Sequence, residues 1–113
     1  MATLREYCGR NLLEITDRYI KEYCGKYLYE FDAHNVKEYC GKYLFSYDHK
    51  SIKEYCGRYI LEFDGRYIKE YCGKYLYEFD GRYIKEYCGK YLYEISGFMS
   101  HYQLMALFAI MFA

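Results

Sequence analysis

The residues of this sequence that could carry chemistry recur at fixed intervals. Six cysteines lie sixteen residues apart, and eleven glutamates share one position of an eight-residue period. The cysteines are Cys8, Cys24, Cys40, Cys56, Cys72 and Cys88. Thiolates can bind a metal or form disulfides, and paired carboxyls can act as general acid and base. Acid-base catalysis needs two carboxyls in different environments, whereas a repeat supplies the same environment many times.

The cysteine spacing does not favour a metal site or an internal disulfide. No C-x-x-C or C-x-x-H pair is present in the sequence. Cysteines in alternate turns of an antiparallel sheet would lie roughly 9.6 Å apart, beyond the Cα separation of about 7 Å that a disulfide can bridge. We therefore predict six free thiols, no metal site and no cofactor.

The three histidines do not point to an enzyme either. His34 and His49 replace turn residues of the repeat, and His101 lies beside a predicted helix start. The sequence contains no phosphate-binding loop, no G-x-S-x-G and no H-E-x-x-H. We expect a protein without catalytic residues.

The elements that must position these residues follow from the period. Twelve octads fill residues 3–98, and they alternate, so that the full unit is sixteen residues, as in 67–82. Each octad contains about five residues rich in Tyr, Phe, Ile and Leu, closed by Asp-Gly or Cys-Gly and a basic residue, a pattern typical of hairpins. The sequence predicts twelve short antiparallel strands.

Turn length decides which side chains share a face. A two-residue turn at 80–81 would place Phe79 opposite Arg82 and invert the side-chain orientation between successive strands. The third octad position is Tyr in three of the six even octads, Leu or Phe in the other three, and mostly Lys in the odd octads. It would then point inward in the even octads and outward in the odd ones. We expect Tyr75, Tyr77, Phe79 and Ile84 on the inner face.

The last fifteen residues, 99–113, predict a helix. Ser100-His-Tyr-Gln103 reads as a capping box, and 104–113 contains no charged residue. A helix that is apolar all round should be enclosed on every side, and this segment is about half the roughly 20 residues that span a bilayer. We expect burial within the protein and no transmembrane span.

Twelve strands can provide the enclosure. At about 4.8 Å spacing and a tilt near 40°, they close into a barrel of roughly 12 Å radius, which leaves room for one helix. We predict one all-β domain, residues 1–113, of twelve antiparallel strands closed around a C-terminal helix. The alternative is a β-solenoid of sixteen residues per coil capped by the helix, which would stack like-charged glutamates about 4.8 Å apart.

Twelve octads followed by one apolar helix resemble the tubby and phospholipid-scramblase superfamily in outline. That resemblance implies a twelve-strand barrel around a hydrophobic helix, and it implies a lipid-interacting function. Locally, the motif Tyr-x-Tyr-Glu-x-x-Gly-Arg at 75–82 is similar to the tyrosine-aspartate repeats of RHS-type proteins, with Glu78 where those repeats usually have Asp.

The composition limits which classes of partner the protein can bind. Sixteen basic residues balance sixteen acidic ones and are interleaved with them, which makes nucleic acid an unlikely partner. The first residues lack the apolar stretch of a signal peptide, and we expect a cytoplasmic protein.

We expect a non-catalytic structural or binding module whose tyrosine-rich outer face holds a protein, glycan or lipid. The candidate surface residues are Tyr67, Tyr71, Tyr83 and Tyr87. The alternatives are a self-assembling subunit that forms a fibre or ring, and a lipid-interacting protein of the tubby-like type.

Overall fold

A computed structural model describes residues 2–113 as a closed barrel of twelve strands and one helix. The elements are β1 Ala2–Glu6, β2 Asn11–Ile15, β3 Tyr19–Glu22, β4 Tyr27–Phe31, β5 Asn35–Glu38, β6 Tyr43–Tyr47, β7 Ser51–Glu54, β8 Tyr59–Phe63, β9 Tyr67–Glu70, β10 Tyr75–Phe79, β11 Tyr83–Glu86, β12 Tyr91–Ser96 and α1 His101–Phe112.

Each strand pairs antiparallel with its neighbours in sequence, and β1 pairs with β12 to complete the ring. At this seam Leu4 lies opposite Ile95, and Arg5 lies opposite Glu94. The predicted barrel is therefore confirmed, and the solenoid alternative is wrong. Because the strands are only four to six residues long, the ring is wide and shallow, with extents of 36 × 36 × 17 Å.

The inner wall is built by alternation along every strand. The odd strands from β3 to β11 bury one aliphatic residue each, such as Ile68 and Ile84, and the even strands from β4 to β10 bury an aromatic one, such as Phe63 and Phe79. The inner side chain of an odd strand lies directly opposite that of the preceding even strand, as Ile84 does opposite Phe79. This pairing confirms the predicted inversion of orientation between successive strands.

One inner position carries a hydroxyl. Tyr47 occupies the place that Phe31, Phe63 and Phe79 hold in other repeats, and it is 5% exposed. Its hydroxyl donates to the Asp32 carbonyl oxygen at 2.7 Å, and it lies 3.0 Å from the Asn35 carbonyl oxygen. Burial raises the pKa of Tyr47 far above its ordinary value.

The predicted turn register is wrong by two residues. Phe79 faces Ile84 instead of Arg82, so the two residues at the tip are 81–82 and Asp80 precedes them. The cause is the aspartate side chain, whose Oδ1 accepts hydrogen bonds from the backbone N–H groups of Arg82 at 3.0 Å and Tyr83 at 2.8 Å. Asp is thus the capping residue of the turn. A register shift of two residues does not by itself change the face to which a side chain points.

The predicted position of Tyr75 on the inner face is also wrong, since Tyr75 lies on the outer wall and is 44% exposed. A bulge between Tyr75 and Tyr77, where β10 pairs with β9, breaks the alternation. Tyr77 and Phe79 remain inside, packed with the core. The same irregularity recurs where each other odd strand meets the next even strand, with a register shift between Ile84 and Lys85 in β11, for example.

The helix α1 fills the barrel. Met105, Ala106, Leu107, Phe108 and Ala109 are all 0% exposed, as enclosure on every side requires. At the helix start, the Gln103 side chain reaches back to accept from the Ser100 backbone N–H at 2.7 Å, as the capping motif predicts. The Gln103 amide nitrogen also donates to the Thr16 carbonyl oxygen at 2.8 Å, which fixes the helix to the turn after β2.

Replacement of Phe108 by Ala should destabilise the barrel by about 3–5 kcal/mol, because it leaves a cavity in the filled lumen. The Phe108 ring packs edge-on against Phe63 at 5.0 Å and Phe79 at 5.7 Å between centroids. Urea unfolding of wild type and variant measures the loss. Phe98→Ala is the matched control, since Phe98 is 83% exposed and should change stability little. Equal effects of the two substitutions would contradict a helix enclosed by the strands.

Replacement of Asp64 by Asn should reduce the dependence of stability on pH. Backbone N–H groups of Tyr67 and then Arg66 hold the pKa of Asp64 below its ordinary value. A lowered folded pKa stabilises the fold above the unfolded pKa of about 3.9, and this contribution is lost as pH falls through the folded pKa. The unfolding free energy of wild type minus that of D64N should therefore be larger at pH 6 than at pH 2.

The control for this experiment is Asp17→Asn. In that turn Thr16 Oγ1 accepts the Tyr19 backbone N–H at 3.0 Å, so a threonine takes the place of the aspartate cap. The D17N difference should be the smaller of the two at pH 6. A difference for D64N that stays constant from pH 6 to pH 2 would rule out the proposed role of the carboxylate.

Candidate binding surfaces: tyrosine clusters and cysteine rim

The outer wall carries a row of ion pairs at the middle of the even strands. Glu78 illustrates the arrangement, with Arg66 at 2.8 Å from the preceding turn and Lys85 at 3.7 Å from the next strand. At the seam, Glu94 pairs with Arg82 at 2.8 Å and with Arg5 of β1 at 3.6 Å. Acidic and basic groups thus neutralise each other at five of the six even strands, whereas β6 has Ser46 in place of the glutamate.

Exposed tyrosines form compact groups beside these ion pairs. Tyr75 and Tyr87 stack with ring centroids 5.1 Å apart, and Tyr67 meets both rings edge-on, at 5.1 Å and 5.7 Å. The Lys69 ammonium lies 5.8 Å from the Tyr75 centroid. Each ring is therefore held in place by its neighbours while its outer part remains exposed.

This arrangement recurs around the barrel, and we call each group a tyrosine cluster. The clusters are Tyr67, Tyr75 and Tyr87; Tyr7, Tyr83 and Tyr91; Tyr19, Tyr27 and Tyr39; and the pairs Tyr43 with Tyr55 and Tyr59 with Tyr71. The cluster of Tyr7, Tyr83 and Tyr91 crosses the seam between β1 and β12. Tyr23 belongs to no cluster, because the two positions equivalent to its cluster partners are occupied by Thr3 and Asn11 instead of tyrosines.

The four tyrosines predicted from the sequence belong to three neighbouring clusters. Tyr67 and Tyr87 share one cluster, Tyr83 lies in the seam cluster, and Tyr71 stacks on Tyr59 at 4.9 Å. Sequence reasoning missed the even-strand members such as Tyr75, because the bulge that turns them outward has no signature in the octad. Glycine or proline would have marked such a bulge, and neither occurs there.

Two of these tyrosines border a cysteine. The charge of the adjacent Cys72 thiolate, followed by partial burial, raises the pKa of Tyr71 above its ordinary value. Cys88 has the same effect on the pKa of Tyr87. Both phenols therefore stay protonated at neutral pH and can donate hydrogen bonds to a partner.

The turns after the odd strands form one mouth of the barrel. Each reads Glu-Tyr-Cys-Gly followed by Lys or Arg, and the first four letters are the same in all six copies. We call the Glu, Cys, Gly and basic residues of these turns the cysteine rim. The turns are residues 6–10, 22–26, 38–42, 54–58, 70–74 and 86–90. All of these residues are exposed. At the opposite mouth, by contrast, the turns vary from copy to copy.

The cysteines of the rim adopt a strained backbone. All six have φ between 53° and 55°, in the left-handed region. For a residue with a side chain this conformation costs roughly 1–2 kcal/mol, and Gly, Asn or Asp usually occupies it. Turn geometry therefore does not explain why cysteine is present at these positions.

The glycine after each rim cysteine is required for a different reason from the positive φ that a Cys-Gly turn predicts. Gly73 does not have a positive φ, in contrast to Gly81 with φ of 104°. A Cβ on Gly73 would lie 2.8 Å from both Cβ and Oε1 of Glu70. Glycine is needed here because the glutamate side chain folds over the turn, and this contact also gives the odd-strand glutamates a structural role.

The C-terminal end of α1 lies at the cysteine rim. Phe112 stacks on Tyr77 at 4.2 Å, and Ile110, Met111 and Phe112 are only partly buried. Phe112 borders an open cavity of about 530 Å³ between β8 and β10. Its other lining residues are Arg58, Tyr59, Ile60, Leu61, Glu70, Tyr71, Leu76 and Ala113. The rim therefore surrounds a partly apolar floor.

The three histidines meet at the opposite mouth. His34, His49 and His101 line a cavity of about 440 Å³ together with Asp48 and others. The His101 Nε2 lies 2.6 Å from the His49 carbonyl oxygen. The sequence places them 15 and 52 residues apart, so only the docking of α1 against the turns brings them together.

The thiols are free and do not gather into a metal site. All six cysteines are exposed and unpaired. Within residues 2–113, no three side chains among His, Cys, Asp and Glu are arranged to hold a metal ion. Over the same residues, no helix has both the length and the apolar character needed to cross a membrane.

Comparison with protein-family models, curated proteins and solved structures found no match.

Replacement of Cys72 by Gly should give a more stable protein than replacement by Ala, by about 1 kcal/mol, because alanine keeps the left-handed strain and glycine does not. The sign is diagnostic, since glycine is ordinarily the less stable of the two by roughly 0.5–1 kcal/mol. Thermal and urea unfolding under reducing conditions measure the difference. An alanine variant as stable as the glycine variant would contradict the strained geometry of the rim.

Proposed function

We propose that this protein is a non-catalytic binding module that holds a protein partner on the tyrosine clusters of its outer wall. One observation carries the proposal: exposed tyrosines are packed into repeated groups and held by stacking, as in Tyr67, Tyr75 and Tyr87. A monomeric surface has no need of so many ordered aromatic rings, and aromatic residues are enriched at protein interfaces.

The clusters are suited to binding because they are ordered before a partner arrives. Tyrosine offers a large contact area with few rotatable bonds, so little conformational entropy is lost on association. Stacking and the nearby lysines restrict the rings further, as Lys69 does beside Tyr75. The closed barrel beneath them holds neighbouring clusters at fixed separations.

The chemistry of the wall favours a protein over a glycan or nucleic acid. Sugars and bases stack on open ring faces, whereas Tyr75 is contacted by Tyr87, Tyr67 and Lys69. Nucleic acid also requires an excess of positive charge. On the outer wall most of the cations are paired with glutamates, as Arg66 and Lys85 are with Glu78. Protonated phenols beside ion pairs match the polar and aromatic mixture of protein interfaces.

Two alternative functions, self-assembly into a fibre and interaction with lipid, can be distinguished by experiment. A fibre built by strand addition needs a free sheet edge, and the closed ring offers none to support it. A lipid-interacting function follows from the outline resemblance to the tubby and scramblase superfamily. Sedimentation of the purified chain and flotation with liposomes would reveal the first and the second function, respectively.

Replacing Tyr67, Tyr71, Tyr83 and Tyr87 by Ala should weaken partner binding. A partner captured from the native host and then purified provides the ligand. We expect the dissociation constant, measured by calorimetry, to rise about tenfold or more, since buried tyrosines dominate interface energies. The matched control is Tyr23→Ala, because Tyr23 is exposed and lies outside the clusters. A partner that binds the fourfold variant as tightly as wild type would overturn the proposal.

A further inference from the structure

We infer that the cysteine rim is a self-association surface, on which a second copy of this chain docks rim to rim and is locked by disulfides between the two copies. The inference concerns a different surface from the tyrosine clusters and does not depend on the proposed function. It starts from the six identical Glu-Tyr-Cys-Gly turns, all exposed on one mouth of the barrel.

The order of residues in each turn makes the rim complementary to itself. Glutamate ends the odd strand, the basic residue precedes the even strand, and cysteine lies between them, as in Glu70, Cys72 and Lys74. All six turns follow the ring in the same sense, because the strands are paired in sequence order. A two-fold axis through one cysteine, perpendicular to the barrel axis, reverses that sense in the second copy.

The reversal places unlike charges opposite each other. Across this axis, cysteine of one copy faces cysteine of the other. Glutamate of each copy faces Lys or Arg of the other copy. Such an interface uses the same patch on both copies and closes on itself. A two-fold axis through a glutamate of the rim would instead place carboxylate against carboxylate, which is unfavourable.

The repeat then multiplies the contact. Because the six turns are equivalent around the ring, alignment of one pair of cysteines aligns the other five pairs. Once the first disulfide has formed, each further thiol reacts with a partner held at high effective concentration. Docking also covers the partly exposed residues 110–112 and the open cavity beside Phe112, which removes apolar surface from water.

The strained cysteines are an independent indication that the thiol is used. Six residues with φ between 53° and 55° hold a side chain where glycine would be more stable. Backbone strain that recurs at exposed positions points to a function of the side chain. The histidine-lined mouth shows no such constancy, since its turns read differently in each drifted copy.

The chemistry is thiol–disulfide exchange with a small-molecule disulfide such as oxidised glutathione. A Cys72 thiolate attacks one sulfur of the small disulfide, forms a mixed disulfide and releases one glutathione thiolate, which takes up a proton. The facing cysteine thiolate of the second copy then attacks the Cys72 sulfur, forms the link between the copies and releases the second glutathione. The two protein thiols are oxidised, and one disulfide is reduced to two thiols.

The experiment treats the purified chain with oxidised glutathione and analyses it by non-reducing electrophoresis, light scattering and mass spectrometry. We expect the product to stop at the dimer, to carry several disulfides and to return to monomer with reductant. A ladder of trimers and larger species would overturn the proposal, because it would mean random cross-linking of exposed thiols. A product that remains a monomer with glutathione attached would overturn it too.

Two variants test the geometry. In the first variant, Cys72 is kept and the other five cysteines are replaced by Asn, which tolerates the left-handed backbone. This variant should still form a dimer, but reductant should convert that dimer to monomer more readily than it converts the wild-type dimer. In the second, the rim cations Arg10, Lys26, Lys42, Arg58, Lys74 and Lys90 are replaced by Glu. All six are exposed, so the fold should persist, which circular dichroism checks. Dimer formation by the second variant at the wild-type rate, in low salt, would rule out the proposed charge pairing.

Discussion

A ring of twelve strands is too wide for its own inward side chains to fill, and the remaining space must be occupied by something apolar. The helix meets that requirement, and its sequence is adapted to it. No charged residue occurs in 104–113, and Phe108 lies fully buried among rings from the strands. The inner wall is adapted in turn, because from β3 to β11 the odd strands supply aliphatic residues and the even strands supply aromatic ones. Barrel and helix therefore share one core, in which each covers the apolar surface of the other.

Closure of the ring sets the second level of organisation. Pairing of β1 with β12 satisfies the backbone groups that an open sheet would expose, and it carries the wall features across the seam. Arg5 reaches Glu94, and Tyr7 stacks on Tyr91 at 5.1 Å, as their equivalents do elsewhere. Alternation between the two kinds of turn makes sixteen residues the smallest unit that returns the chain to the same mouth. One mouth is constant in sequence and the other is variable, so the two ends are free to serve different purposes.

Much of this architecture could be predicted, because it depends on counting and on alternation. Twelve octads, the identity of the third octad position and the charge-free tail led to the strands, their faces and the enclosed helix. Side-chain hydrogen bonds and local crowding could not be predicted in the same way. The Asp80 carboxylate shifted the pairing register by two residues, and the bulge turned Tyr75 outward. The contact of Glu70 with Gly73 and the positive φ of Cys72 are likewise three-dimensional facts, because Cys-Gly reads in sequence as an ordinary glycine turn. The meeting of the three histidines required knowledge of where α1 docks.

The enclosed helix also has a consequence for the history of the repeat. Tandem units are readily gained or lost by duplication and deletion, and one unit more or less would give a ring of fourteen or ten strands. The wider ring would leave an empty gap around α1, and the narrower one would have no room for Phe108 and its neighbours. Because the diameter of the helix is fixed, it restricts the number of repeats with which the chain can fold into a filled barrel.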